Sequence, residues 1–157
     1  TPRSSSAASD VYKRQASYWA WLFDVLPILV FQLTFLWLYL SRVVHLRTSV
    51  ITAIVVIFLL LIIALWHFSG AKFNGSLPYI PAAITLFALG IYHFELNTSD
   101  RAALLIAAGL FSTALVFRTI DMKVCDHFEI GTHFIWHLLT SITIYISARA
   151  YILNRSI

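Results

Sequence analysis

The 157 residues of this chain are 60% hydrophobic and only 11% charged, and their mean hydropathy is +0.82. A soluble domain of this size could not cover so much apolar side chain, so the composition excludes a soluble globular protein and predicts an integral membrane protein. The net charge of +4 forms no dense basic cluster of the kind that binds nucleic acid, and the single cysteine, Cys125, excludes an internal disulfide bond.

The first 15 residues, TPRSSSAASDVYKRQ, differ in character from the rest of the chain. They are polar and rich in serine, and they lack the apolar core of a signal peptide. They are similar to the translated adapter sequence found at the ends of gene models assembled from short reads. We therefore expect residues 1–15 to be a disordered, non-native segment, and residues 16–157 to form a transmembrane helical domain that is a fragment of a longer natural protein.

Five apolar stretches follow, each close to the ~20 residues that an α-helix needs to cross ~30 Å of hydrocarbon. Named spans a to e, they cover residues 17–40, 50–68, 79–94, 102–117 and 132–152. The connections between them are short and polar, which makes neighbouring helices antiparallel. The sequence therefore predicts an all-α fold, a polytopic transmembrane helix bundle with five spans.

Basic residues indicate how these spans are oriented, because lysine and arginine are enriched in cytoplasmic loops. Five of them share one side of the predicted bundle with the C-terminus, namely Arg42, Arg47, Arg101, Arg149 and Arg155. The opposite side has Lys72, Arg118 and Lys123. The bias predicts a cytoplasmic C-terminus.

Span e begins with the sequence GTHFIWHLL, in which His133 and His137 are four residues apart. This spacing places both imidazoles on one face of a helix. Ionisable side chains at membrane depth are costly and are functional candidates by default, and two imidazoles at this spacing can bind one metal ion. We predict His133 and His137 to be metal ligands.

Asp24 is predicted to lie at the same depth as these histidines. Spans a and e cross in the same direction, and all three residues fall within ~10 Å of the same membrane face at 1.5 Å of rise per residue. Taken singly, a membrane aspartate often bonds to a nearby hydroxyl group and a histidine often only packs. The shared depth of Asp24, His133 and His137 favours a common site over three separate packing roles.

The connection after span d is rich in charge and leads directly into the histidine helix. Arg118 and Asp121 are three residues apart, so they can pair on one helical turn and cap the end of span d. Two interpretations stay open, a solvated surface loop and a rim over the site. The remaining histidines lie in connections or near span ends, where His67 and His93 can reach water, and are predicted to be non-catalytic: His45, His67, His93 and His127.

Four segments together resemble the alkaline ceramidase family, a group of seven-helix membrane hydrolases, and especially its bacterial members. They are residues 24–29 (DVLPIL), 74–79 (NGSLPY), 118–121 (RTID) with Cys125, and 131–137 (GTHFIWH). The similarity covers residues 17–155, and the last motif is the most specific. That family is grouped with the progestin and adipoQ receptors.

The resemblance implies a zinc ion held by three histidines, two of which match His133 and His137, and an aspartate matching Asp24 that hydrogen-bonds the zinc-bound water. The third histidine, and a serine four residues before it, would lie on a helix before residue 17, where this sequence has no histidine. The resemblance thus implies that five of seven helices are present. It also implies a location in the bacterial inner membrane.

The implied reaction is hydrolysis of the amide bond of ceramide or a related N-acyl lipid that enters from the bilayer. A catalytic zinc keeps an open position for water and lowers the pKa of that water to about 7. Asp24 would accept the proton of this water and pass it to the leaving amine. The alternative is a membrane receptor or lipid-binding module on the same scaffold without catalysis. A b-type haem is disfavoured because its two axial ligands usually come from different helices.

Overall fold

The computed structural model describes residues 4–69, 72–96, 99–124 and 132–155, and within these ranges it contains helices and turns but no strand. The five α-helices are α1 (Ser4–Arg42), α2 (Thr48–Ser69), α3 (Ile80–Glu95), α4 (Ala103–Val124) and α5 (His133–Asn154). Two short 3₁₀ turns, Lys72–Gly75 and Leu77–Tyr79, connect α2 to α3. The predicted all-α fold is confirmed, and each predicted span coincides with one helix.

Two helix ends differ from the prediction. α1 begins at Ser4, so the helix includes most of the segment for which we expected disorder. Proline occurs there only at Pro2, before the helix, and alanine, lysine, arginine and glutamine are good helix formers. α4 continues to Val124 instead of ending at residue 117. The non-native origin of residues 1–15 stays a prediction.

Four helical segments of the described residues are long and apolar enough to cross a membrane, as expected of a multi-pass membrane protein. They are Leu22–Arg42, Thr48–Phe68, Leu77–Glu95 and Ala103–Asp121. α5 has 22 residues but is not one of these four, because histidine, serine, threonine and arginine side chains lower its hydropathy. That α5 crosses the membrane stays a prediction.

The chain divides into two compact units, Thr1–Thr34 and Phe35–Ile157. The first unit contains the N-terminal part of α1, where the rings of Trp19 and Phe23 lie 6.4 Å apart. The second unit contains the end of α1 and all the other helices. The histidine pair of α5 belongs to this second unit.

α4 is at the centre of the second unit and packs against both α3 and α5. Its fully buried residues include three alanines, Ala107, Ala108 and Ala114, and such small residues let membrane helices approach closely. α3 contributes Gly90, where an added Cβ would lie 2.9 Å from Leu105 Cδ2 and 3.0 Å from the Leu105 backbone nitrogen. The α3–α4 contact therefore requires glycine at this position.

The 3₁₀ turns between α2 and α3 pack against α2 and α4. Gly75 has φ +68°, a left-handed backbone conformation that glycine adopts without strain. Ser76, Pro78 and Tyr79 follow it and are buried. The turns thereby bring the Tyr79 ring to the part of α4 and α5 that surrounds the candidate site.

Candidate metal centre

His133 and His137 occupy the first turns of α5. Their Nε2 atoms are 3.1 Å apart, and their ring centres are 4.7 Å apart with the planes nearly perpendicular at 87°. His133 is half-buried and His137 is exposed. The two imidazoles share one face of the helix, as their spacing predicts, while their role as metal ligands stays a prediction.

The separation of the two Nε2 atoms fits joint coordination of one zinc ion. Zinc bonds to imidazole nitrogen at ~2.0–2.1 Å, so atoms 3.1 Å apart can both reach one ion with an angle of about 100°, close to tetrahedral. The same separation also allows one neutral imidazole to donate its Nε2–H to the other. The pair therefore has the geometry to provide two of the three protein ligands that a catalytic zinc retains, and zinc binding itself stays a prediction.

Asp24, the predicted catalytic carboxylate, lies on α1 within the first compact unit. His133 and His137 lie within the second. The structure brings the two histidines together, and the meeting of Asp24 with them stays a prediction.

The start of α5 is attached to the last turns of α4 through Thr132. The Thr132 backbone N–H donates to Asp121 Oδ1 at 2.5 Å. The Thr132 hydroxyl group donates to the Phe117 carbonyl oxygen at 2.8 Å and also lies 3.2 Å from Asp121 Oδ1. Asp121 thus binds the residue directly before His133.

Trp136, the residue directly before His137, is completely buried. Its ring packs edge-on against Tyr79, with centres 5.1 Å apart, and against Phe111 at 5.8 Å. The guanidinium carbon of Arg118 lies 5.1 Å from the ring centre of Trp136 and 5.1 Å from that of Tyr79, within the range of cation–π attraction. An aromatic cluster with a buried cation therefore holds Trp136, the residue next to the second histidine, in place.

Arg118 and Asp121 are both buried, so the interpretation of this segment as a solvated surface loop is wrong for these two residues. They belong to α4, where they continue the buried stripe that includes Ala107, Phe111 and Ala114. That three-to-four-residue periodicity was the sequence signal for their burial. The rest of the connection, including Cys125 and His127, lies outside the described residues.

His93 was expected to reach water near the end of span c, and that expectation is wrong. The ring is fully buried, and its Nδ1 atom is 2.8 Å from the Tyr39 hydroxyl oxygen, which is also fully buried. Leu89, one turn earlier on α3, is buried as well, so a helical stripe leads to His93 and could have indicated its burial. The Tyr39–His93 contact joins the end of α1 to α3 within the second unit.

Sequence reasoning did not single out Thr132, Trp136 or Tyr79 as parts of the site. The sequence could have indicated Thr132 and Trp136 by their position, since each immediately precedes one of the histidines. Tyr79 comes from a distant connection, and no local pattern places it beside α5.

Comparison with known proteins finds no matching family, no matching curated protein and no matching solved structure.

Proposed function

We propose that this chain is part of a zinc-dependent membrane hydrolase that cleaves the amide bond of ceramide or a related N-acyl lipid. The observation that carries the proposal is the 3.1 Å separation of the His133 and His137 Nε2 atoms in a chain with four potential membrane spans. Paired imidazoles at this distance have the geometry of ligands to one ion, and ionisable side chains within a membrane-spanning segment are functional candidates by default.

The proposed roles follow from the chemistry of each side chain. His133 and His137 bind zinc through Nε2. Zinc, when bound, supplies a hydroxide for attack on the amide carbonyl and polarises that carbonyl. Asp24 accepts the proton from the attacking water and transfers it to the leaving amine. The resemblance described above implies a third histidine ligand, on a helix before residue 17.

A lipid substrate is supported by the side chains that flank the histidines. Phe134 and Leu138, each one residue beyond a histidine on α5, are exposed by 57% and 58%. Exposed apolar side chains of a membrane protein can contact acyl chains directly. A substrate with long acyl chains could therefore approach His137, which is also exposed, from the hydrocarbon.

Zinc binding is tested first, on the purified chain in detergent micelles. We expect the wild-type protein to bind zinc, and His137→Ala and the double variant His133→Ala/His137→Ala to lose that binding in a calorimetric titration. His67→Ala is the matched control, because His67 is exposed at the end of α2 and should leave the affinity unchanged. Zinc binding by the double variant equal to that of the wild type would contradict the assignment.

Hydrolysis is tested by fatty-acid release from ceramide and other N-acyl lipids, on the chain joined to the upstream helix that the resemblance implies. Asp24→Asn should keep zinc and lose most of the rate, because an amide cannot accept the proton. Loss of zinc in this variant would instead make Asp24 a ligand.

The alternative is a receptor or lipid-binding module that uses the same site without catalysis. It is supported by the same exposed side chains, Phe134 and Leu138, because a surface that binds acyl chains needs no catalytic group. Saturable binding of an N-acyl lipid without release of fatty acid, in a protein that contains zinc, would support this alternative and refute hydrolysis.

A further inference from the structure

We infer that Asp121 is a positioning residue for the histidine pair and acts through Thr132. This inference rests on the proposed metal-binding role of His133 and His137. Asp121 lies on α4 and is buried, and its Oδ1 atom accepts a hydrogen bond from the Thr132 backbone N–H and lies 3.2 Å from the Thr132 hydroxyl oxygen. The carboxylate therefore fixes the residue at which α5 begins.

The Thr132 hydroxyl group is used in an unusual way. Thr132 is the N-cap of α5, a position where a threonine side chain commonly accepts a hydrogen bond from an N–H of its own helix. No such bond is present here, and the hydroxyl group donates instead to the Phe117 carbonyl oxygen of α4. The side chain thus links two helices at the expense of capping one.

The position of Thr132 in the helix determines what this link controls. Thr132 and Trp136 are four residues apart and lie on one face of α5, which is held to α4 by hydrogen bonds at Thr132 and by ring contacts at Trp136. Each residue of an α-helix is rotated by about 100° from the one before it. Fixing the face of Thr132 and Trp136 against α4 therefore fixes the direction in which His133 and His137 point.

If Asp121 and Thr132 only stabilised the packing of α4 against α5, the loss of any other α4–α5 contact should disturb the histidines equally. Thr143 provides the comparison. It is buried against α4, its hydroxyl group donates to the Leu139 carbonyl oxygen of α5 at 2.9 Å and lies 3.5 Å from the Ala107 carbonyl oxygen of α4, and it is more than one turn beyond His137. A hydroxyl group lost at Thr143 should lower stability without turning the histidines.

The experiment compares four variants of the full chain in detergent: Asp121→Ala, Thr132→Val, Thr132→Ser and Thr143→Val. The zinc dissociation constant is measured by calorimetry, with thermal unfolding of each variant as the measure of stability. We expect Asp121→Ala to weaken zinc binding about tenfold or more, the range typical of residues that orient metal-binding histidines. Thr132→Val should act in the same direction, and Thr132→Ser, which keeps the hydroxyl group, should bind as the wild type does.

A metal-free measurement separates this inference from the proposed function. Ring ¹⁵N chemical shifts of His133 and His137 report whether one Nε2–H is bonded to the other Nε2. We expect the hydrogen-bonded pattern in the wild type and in Thr143→Val, and its loss in Asp121→Ala and Thr132→Val. A wild type that binds no zinc would refute the proposed metal site, and the ring shifts would still test the positioning role.

Two results would overturn the inference. One is unchanged ring shifts and zinc affinity in Thr132→Val, which keeps the shape of the side chain and is expected to fold. The other is an equal loss of both in Thr143→Val, which would show that any weakening of α4–α5 packing has the same effect.

Discussion

The two ends of α5 are attached to the rest of the second unit by contacts that differ in exposure. At the N-terminal end, buried Asp121 and Arg118 hold Thr132 and Trp136. At the C-terminal end, Asn154 exchanges two hydrogen bonds with the exposed backbone of Ser99. An ion pair joins Arg149 to Asp100 at 2.9 Å, between side chains that are 56% and 41% exposed.

The difference indicates which end of α5 needs a precise geometry. Water screens charges and competes for hydrogen bonds at exposed sites, so exposed pairs contribute little and leave the side chains free to move. Buried polar contacts are costly to break, because a group that loses its partner there is left desolvated. The end of α5 with buried contacts carries the histidine pair, whereas no candidate site residue lies at the end with exposed contacts.

At the buried end of α5, Trp136→Ala should cause the largest loss of stability. Removing this fully buried side chain leaves a cavity beside Tyr79 and Phe111 and takes away one ring that contacts the Arg118 guanidinium. Buried tryptophan-to-alanine changes cost about 3–5 kcal/mol of unfolding free energy. Zinc affinity should fall too, because the helix face that directs His137 is no longer fixed.

Trp136→Phe is the control for this change, since it keeps a ring in the cluster and should retain most of the stability and the zinc affinity. Thermal unfolding in micelles and zinc titration measure both effects. Wild-type stability in Trp136→Ala would show that the cluster does not hold α5.

Gly90→Ala tests whether a loss of helix packing alone changes the geometry of the histidine pair. The new Cβ would meet backbone atoms of α4, 3.0 Å from the Leu105 nitrogen and 3.1 Å from the Leu104 carbonyl carbon, which cannot move aside by a change of rotamer. Overpacking of this kind costs about 1–3 kcal/mol. We expect a lower unfolding temperature and an unchanged zinc affinity, because the contact lies at the start of α4, far along that helix from Asp121.

Gly109→Ala is the matched control on α4, where an added Cβ meets nothing within 4 Å. This variant should be as stable as the wild type or slightly more stable, since alanine favours helix. An equal destabilisation by both glycine changes would argue against the close α3–α4 contact.

The smallest effect is expected for Asp100→Asn at the exposed end. Asp100 has φ +56°, a conformation that asparagine also tolerates, so the change removes the charge and leaves the backbone unstrained. Exposed ion pairs contribute about 0.5 kcal/mol or less, and salt screens them. The difference in unfolding temperature from the wild type should be small at low salt and absent at high salt. A loss as large as that of Gly90→Ala would contradict the contrast between the two ends.

The candidate site could be predicted only where local spacing was enough. His133 and His137 share a face because four residues of helix place them there, whatever surrounds the helix. Arg118 and Asp121 were located on the right segment, but the sequence left open whether they lie in a solvated loop or at the rim of the site. Their burial depends on Thr132 and Tyr79, which come from other parts of the chain, and no local rule specifies such partners.

The amino-acid sequence by itself determined the helical membrane class, the five helices and the histidine pair, because composition, apolar length and helical periodicity are properties of single segments. Only the tertiary structure decided that the Thr132 hydroxyl group bonds to α4, that the Trp136 ring contacts Arg118, and that His93 is buried against Tyr39. These contacts depend on which helices meet and on the rotation of each about its axis. Both are set by the packing of the whole unit.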